Sequence, residues 1–290
     1  MRERDAAYRL AGAVPRSRSH PMSLRGIAME TLKLPPFTPL AKLLYRHQFA
    51  RQRHGNHYLG VFPSYASALA AVPAALKASY DQPQAAAQYR YRTRQLAIGD
   101  YPTLYWLEQL LHRNCRRFFD LGGHIGVAYY AFARYLDYPG DITWTVSDMP
   151  TTMEAGRAWA AEHDAAHRLA FAADKNAADG QDALLVLGAL QYFDFDLPAW
   201  LGTLAAPPRH LIVNNSPMHD HHDFHTLQNM GFACLPYHVH ARPAFIRAMG
   251  ELGYRVVDAW RCEERECRIP FAHDHDVEGY SGFYFSRANN

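Results

Sequence analysis

From Arg117 onward the chain alternates short strand-like runs with helical ones, and this alternation limits the fold more than any other feature. The strand-like runs are "RRFFDL" (116–121), "ITWTVS" (142–147), "RLAFA" (168–172), "DALLVLG" (182–188) and "RHLIVNN" (209–215). Between them lie "VAYYAFARYL", "TTMEAGRAWAAEH" and "PAWLGTLA" as helices. Strands joined through helices run parallel, and a parallel sheet needs cover on both faces. Then "ARPAFIRAMGELGY" (241–254) reads as a helix stopped at Gly253, followed by "RVVDAW" (255–260) and "YSGFYFS" (280–286). Two closing strands with no helix between them suit a hairpin, so the last strand runs antiparallel. The fold class is therefore α/β, a Rossmann-like sheet, mostly parallel, whose ending differs from that of the dinucleotide-binding sheet.

Residues 64–112 read as helical, Ala-rich from Ala66 to Ala87 and then "YPTLYWLEQLLHR" from Tyr101. This gives a helical cap over 57–112 ahead of a main domain over 113–290. Residues 1–56 form a basic leader with 11 Lys/Arg against 3 Asp/Glu, broken by "LPPFTP" at 34–39, while the remainder holds 19 against 25. The leader lacks the interleaved aromatics that stack on bases, so no nucleic-acid partner is expected. Its stretch "FTPLAKLLYRHQFARQR" (37–53) could lie on an anionic membrane surface, and Met22 and Met29 leave room for a later translation start. No apolar run approaches the ~18–20 residues needed to span a bilayer, and no secretory h-region is visible. Cys115, Cys234, Cys262 and Cys267 have neither disulfide-framework nor zinc spacing. A cytoplasmic protein with reduced thiols is expected.

The first strand runs into Gly122-Gly123-His124-Ile125-Gly126. Such a loop turns sharply and lets a ligand approach the backbone, and the following helix offers free N–H groups to a carboxylate or phosphate. A tight strand–helix turn would use the same glycines. A branched residue at Gly122 or Gly123 is expected to block the ligand while the fold survives. The dinucleotide fingerprint G-x-G-x-x-G is missing. Asp148 ends the second strand, where a carboxylate can accept from a ribose diol; helix capping is the competing reading. Met149 lies beside it. Asp174 follows the third strand as an adenine neighbour or a turn residue. Gly188, Leu190, Gln191 and Tyr192 follow the fourth, on the edge where ligands collect in open α/β sheets.

"FFDLGGHIG", "DALLVLGALQYF", "VNNSPM…TLQNMGF" and "FIRAMGELGYRVVDAW", with "YLGVFPSYASALAA" and "YPTLYWLEQLL" upstream, resemble a family of S-adenosylmethionine (SAM)-dependent methyltransferases of class I. Its members often accompany bacterial surface-polysaccharide or secondary-metabolite genes. The resemblance covers roughly residues 57–288. It implies SAM as cofactor, held by Asp120, Gly122, Gly123, His124, Gly126, Asp148, Met149, Asp174, Gly188, Leu190 and Gln191. His124 departs from the pattern D-x-G-x-G-x-G at its middle glycine. The acceptor would be a small or sugar-linked molecule, and a homodimer is a further expectation.

"MHDHHDFH" (218–225) supplies His219, His221, His222 and His225 on what reads as a polar loop after the fifth strand. Their spacing fits no zinc pattern, and no metal is expected. Methyl transfer to oxygen benefits from a base, and imidazole titrates in the right range. His219 is the first candidate, His222 the second, and Tyr192 the fallback. Gln191, Tyr192, Asn215 and Gln228 could orient an acceptor, with Tyr237 and His238 closing the pocket. The competing functions are an NAD-linked sugar oxidoreductase, a metal-dependent hydrolase built on the His loop, and a non-catalytic partner that binds no cofactor.

Overall fold

In the computed structural model the described residues are 38–288, so most of the leader, Met22 and Met29 included, lies outside them. The chain divides into two units, residues 1–46 and 47–290. Helix α1 (Thr38–Arg51) begins in the first. No helix among the described residues is long and apolar enough to cross a membrane.

The second unit continues with β1 (His57–Phe62), α2 (Tyr65–Ala70), α3 (Pro83–Gln88), α4 (Tyr101–His112), β2 (Arg117–Leu121) and α5 (Val127–Phe132). Next come β3 (Thr143–Ser147), α6 (Pro150–His163), β4 (Leu169–Phe171), β5 (Ala183–Leu187), α7 (Leu197–Leu201) and β6 (His210–Ser216). The chain ends with β7 (Met218–His219), β8 (Phe224–Asn229), β9 (Cys234–Ala241), α8 (Arg242–Glu251), β10 (Tyr254–Cys267) and β11 (Val277–Arg287).

The main sheet has seven strands in the order β10-β11-β6-β5-β2-β3-β4. β2 to β6 are parallel, and β11 runs antiparallel to both β6 and β10, the hairpin ending expected from the sequence. Side-chain alternation divides each strand between two cores. Phe119, Leu184, Val186, Leu211, Val213, Phe283 and Phe285 face one way, against Trp200 of α7 and Phe245 and Met249 of α8. Phe118, Leu185, Ile212 and Tyr284 face the other, against Leu107 and Leu110 of α4 and Tyr129 and Phe132 of α5. Each such fully buried side chain contributes about 1.5–3 kcal/mol. The sheet's edges are protected: β4 has three residues, and β10 carries Arg261, Glu263, Glu264 and Arg265.

Two sequence expectations need correction. The Ala-rich reach from Ala66 to Ala87 is helical only at its ends, in α2 and α3, and it is preceded by a strand. The histidine-rich stretch after β6 is a loop only over residues 220–223, and strands flank it. With β1 and β9 these strands build a second sheet, β1-β8-β9-β7, in which β8 and β9 form an antiparallel hairpin. Period-two alternation in "FHTLQN" and "CLPYHVHA", around a turn at Gly231 with φ 90°, is the physical reason.

Candidate functional site

The C-terminal ends of β2, β3 and β5 open onto a cavity of about 620 Å³, roofed by the small sheet and by residues 78–100. It lies within the ~300–1,000 Å³ usual for small-molecule sites. On its wall are Asp120, Gly122, Gly123, His124, Asp148, Met149, Asp174, Gly188, Gln191 and Tyr192 from the expected set. Gly126, Leu190, His219 and His222 are not on it.

The glycine loop is shaped by the protein itself. Gly122 has φ 76°, and a Cβ there would lie 2.2 Å from the Ala189 Cβ; a Cβ on Gly123 would lie 2.5 Å from the Asp120 carboxyl carbon. Both glycines are thus close-packed, and a larger residue at either would press on the protein as well as on a ligand. Gly126, with φ 85°, starts α5 against Leu169, only 2.7 Å from where a Cβ would sit. Several loop N–H groups are already bonded: Gly122 donates to the Ser147 carbonyl (2.7 Å), Gly126 to the Gly123 carbonyl (3.0 Å) and His124 to Asp148 (2.8 Å). The anion cradle read from the sequence is therefore largely occupied by protein.

His124 adopts the left-handed conformation, φ 59°, that a glycine would supply at this place. Its Nε2–H donates to the Ala85 carbonyl at 2.8 Å, so Nδ1 carries a lone pair, and no partner meets that atom. Burial lowers the imidazole's pKa and keeps the ring neutral.

Three carboxyl groups, Asp120, Asp148 and Asp174, stand on this wall without an ion-pair partner among the described residues. Asp120 is fully buried; its Oδ2 accepts from Trp144 Nε1 at 3.1 Å, and Oδ1 has no partner. Burial, with repulsion from Asp148 and against the Trp144 bond, pushes its pKa up to about 7. Asp148 accepts from the His124 N–H through Oδ2 and from the Met149 N–H through Oδ1 (2.7 Å). Burial raises its pKa too, while those N–H groups and His124 hold it back. It does not cap α6: the helix begins after Met149, and Asp81 takes the Thr151 N–H at 2.9 Å. Asp174 serves both readings, lining the cavity while accepting from the Asn176 N–H at 2.8 Å.

Past the β5 end, Gln191 donates through Nε2 to the Gly188 carbonyl (2.8 Å) and leaves Oε1 unpartnered. Asn215, in the left-handed region with φ 53°, donates to Asp100 at 3.2 Å and leaves Oδ1 unpartnered. Every unpartnered buried side-chain atom on this wall, among the described residues, is thus an acceptor: Asp120 Oδ1, His124 Nδ1, Gln191 Oε1 and Asn215 Oδ1.

At the opposite end four tyrosines form the roof. Tyr192 donates to Gln228 Oε1 (2.7 Å), Gln228 donates to the Tyr58 hydroxyl (3.2 Å), and Tyr58 and Tyr237 meet Tyr280 at 3.1 and 2.8 Å. Burial raises the Tyr58 phenol to about 12 and those of Tyr192, Tyr237 and Tyr280 well above their ordinary value. Tyr192 is accordingly a neutral donor and not the fallback base. Tyr58 and Tyr280 were missed from sequence because they arrive from the two ends of the chain; the alternation in "HYLGVF" was the available signal.

His219 and His222 are separated from this cavity. His219 lines a second cleft with Met218, Asp220, His221 and Arg242. Its Nδ1 accepts from the N–H groups of His221 and His222, both at 3.0 Å, so the lone pair a base would use is occupied. Leu190 packs its side chain in the core beneath the turn. Tyr237 lines the cavity, whereas His238 does not.

The sequence matches no protein-family model and no curated protein. Among solved structures it is similar to 1,6-didemethyltoxoflavin-N1-methyltransferase of Burkholderia thailandensis, at 15% identity over 66% of this chain and 79% of that one, TM-score 0.42. It is also similar to magnesium protoporphyrin IX methyltransferase of Synechocystis PCC 6803, bound to SAM, at 12% identity over 72% and 93%, TM-score 0.46. A third is an O-methyltransferase family protein from Burkholderia thailandensis, at 15% identity over 88% and 70%, TM-score 0.46. Likenesses this remote carry neither activity nor substrate across.

Proposed function

We propose that this chain is a SAM-dependent methyltransferase acting on an oxygen of a small or sugar-linked acceptor. The observation that carries the reading is the cavity's polarity. Among the described residues its unpartnered buried side-chain atoms are all acceptors, and Asp120, Asp148 and Asp174 on its wall have no ion-pair partner. Such a wall asks for a ligand rich in donors and positive charge, which an ammonium, a sulfonium and a ribose diol together provide. SAM, when bound, supplies an electrophilic methyl group on that sulfonium. A dinucleotide diphosphate fits worse, because it would need N–H donors that the glycine loop has already committed.

The chain's own part is placement. Asp148 stands where a ribose diol would donate, and Asp120 faces the cationic end. Gln191 and Asn215 can accept from a hydroxyl and so aim an acceptor oxygen, and the tyrosine roof excludes water above it. In an in-line displacement this alignment supplies much of the acceleration. The same reading takes residues 57–112 as a cap that completes the pocket, supported by the Ala85–His124 and Asp81–Thr151 bonds. It extends to contact of α1 with an anionic membrane, supported by exposed Leu40, Leu43 and Leu44 beside Lys42 and Arg46.

Calorimetry of the full chain with SAM, S-adenosylhomocysteine and NAD tests the proposal. SAM and its demethylated product should saturate one site and NAD should not. Binding of NAD alone would support the oxidoreductase, and binding of none of the three a non-catalytic role.

A further inference from the structure

The small sheet carries different chemistry on its two faces. Tyr237 and Gln228 look into the cavity, and their chain neighbours alternate away from it. On that far face His238 and His240 lie two apart on β9, His225 of β8 is paired in register with His238, and Asp223 stands just before β8. A ring nitrogen of His238, one of His240 and a carboxylate oxygen of Asp223 all lie within 4.8 Å of one another. His238 Nε2 and Asp223 Oδ1 are 2.7 Å apart, and Asp223 Oδ2 accepts from the Ala241 N–H at 3.0 Å, which fixes the carboxylate. His225 stacks on His238 with ring centroids 4.1 Å apart, and the His240 ring lies 3.7 Å from that of His238.

His240 is the telling member. It is only 5% exposed, one ring nitrogen is bonded to the Leu190 carbonyl, and Nε2 has no partner. A buried ring nitrogen left in this way is costly unless something meets its lone pair. Nothing in the methyl-transfer reading uses it.

We propose that Asp223, His238 and His240 form a binding site for one Zn²⁺ ion, on the face of the small sheet that turns away from the cavity. Two imidazoles and a carboxylate are a ligand set that suits this ion. A fourth position is open to water on the side of Asp223, whose side chain is 52% exposed. The ion takes the place of the proton between His238 and Asp223. His238 Nε2 presents its lone pair to the ion, so the neutral ring changes tautomer: its proton passes from Nε2 by way of solvent to Nδ1, an Nε2–Zn bond forms, and the ion gives up a water ligand for each protein donor it gains. Bonds of about 2.0–2.2 Å draw the three donors together through small rotations of the rings and carboxylate. The bound ion would join β8 to β9, the two strands that hold Gln228 and Tyr237 over the cavity.

The test uses tag-free, metal-stripped full chain titrated with Zn²⁺ by calorimetry. One ion per chain should bind, and the melting temperature should rise with Zn²⁺. Asp223→Asn and His240→Gln should each weaken binding at least about tenfold, as loss of a ligand or its support does. Another trio, His222, Asp274 and His275, is mostly on the surface and is the internal control. The double variant His222→Ala/His275→Ala should bind as the wild type does. Absence of saturable binding overturns the proposal. So does binding that survives Asp223→Asn and His240→Gln, or that disappears with the His222/His275 pair. If His240→Gln loses its circular-dichroism signature, the more exposed Asp223→Asn decides alone.

Discussion

Asp120 shows how a single residue can tie affinity to pH. A cationic ligand favours its ionised form, so binding expels the proton and affinity rises as the pH climbs through about 7. Affinity for SAM should therefore improve by about five- to tenfold from pH 6 to pH 7.5, measured by calorimetry. Asp120→Asn should flatten that slope relative to the wild type, since both face the same ligand ionisation. For the free protein the sign is opposite. The folded carboxyl keeps its proton up to about 7 whereas the unfolded one loses it near 3.8, so stability falls as pH rises through that window. Gly122 makes a purely steric case. Gly122→Ala should cost about 2–4 kcal/mol through its clash and its positive φ. Ala189→Gly in the same chain should recover part of the loss, because the clash is with that methyl group. A Gly122→Ala melting temperature equal to the wild type would refute this packing role.

At the scale of elements, Asp148 links the ends of β2 and β3, because its carboxylate holds the His124 N–H across from one to the other. Asp148→Ala should weaken SAM by about 1.5–3 kcal/mol, and Asp148→Asn by less. Lower thermal stability with unchanged affinity would leave Asp148 only its structural part. His219→Ala, by contrast, should leave SAM affinity and turnover within about twofold of the wild type, since a side chain outside the cavity has no direct hold on either. A loss of 10²-fold or more in turnover would restore His219 as the base. The elements differ in how legible they were. The five parallel strands each present a compact apolar run, so their limits and the hairpin ending could be read directly. β8 and β9 could not, because His225, His238 and His240 put polar side chains on the face turned away from the cavity while Gln228 is polar on the other. Asp120, Asp148 and Gln191 are readable because each lies at or just past the end of a recognisable strand. A reading of 218–225 as one loop at the strand ends misplaces His219, which belongs to the two-residue strand β7.

Across the molecule, the cavity depends on contacts between residues far apart in sequence, which no local pattern discloses. Asp100 is an example. It accepts from Arg92 (2.5 Å), the Ala97 N–H (2.9 Å) and Asn215 (3.2 Å), fastening residues 92–100 to the end of β6. Asp100→Ala should destabilise the fold by about 3–5 kcal/mol in chemical denaturation, the usual cost of breaking a mostly buried pair from one side. Asp100→Asn should cost less, because an amide oxygen can still accept.

The bond from Trp144 Nε1 to Asp120 Oδ2 also makes the indole an optical reporter. Its excited-state dipole lies in the field of a carboxyl group that changes charge near neutrality, so its emission should shift as that proton leaves. The difference spectrum between wild type and Trp144→Phe would isolate the signal from the other four tryptophans. Arrival of a cation at Asp120 could then be followed in the protein's own fluorescence, without a label.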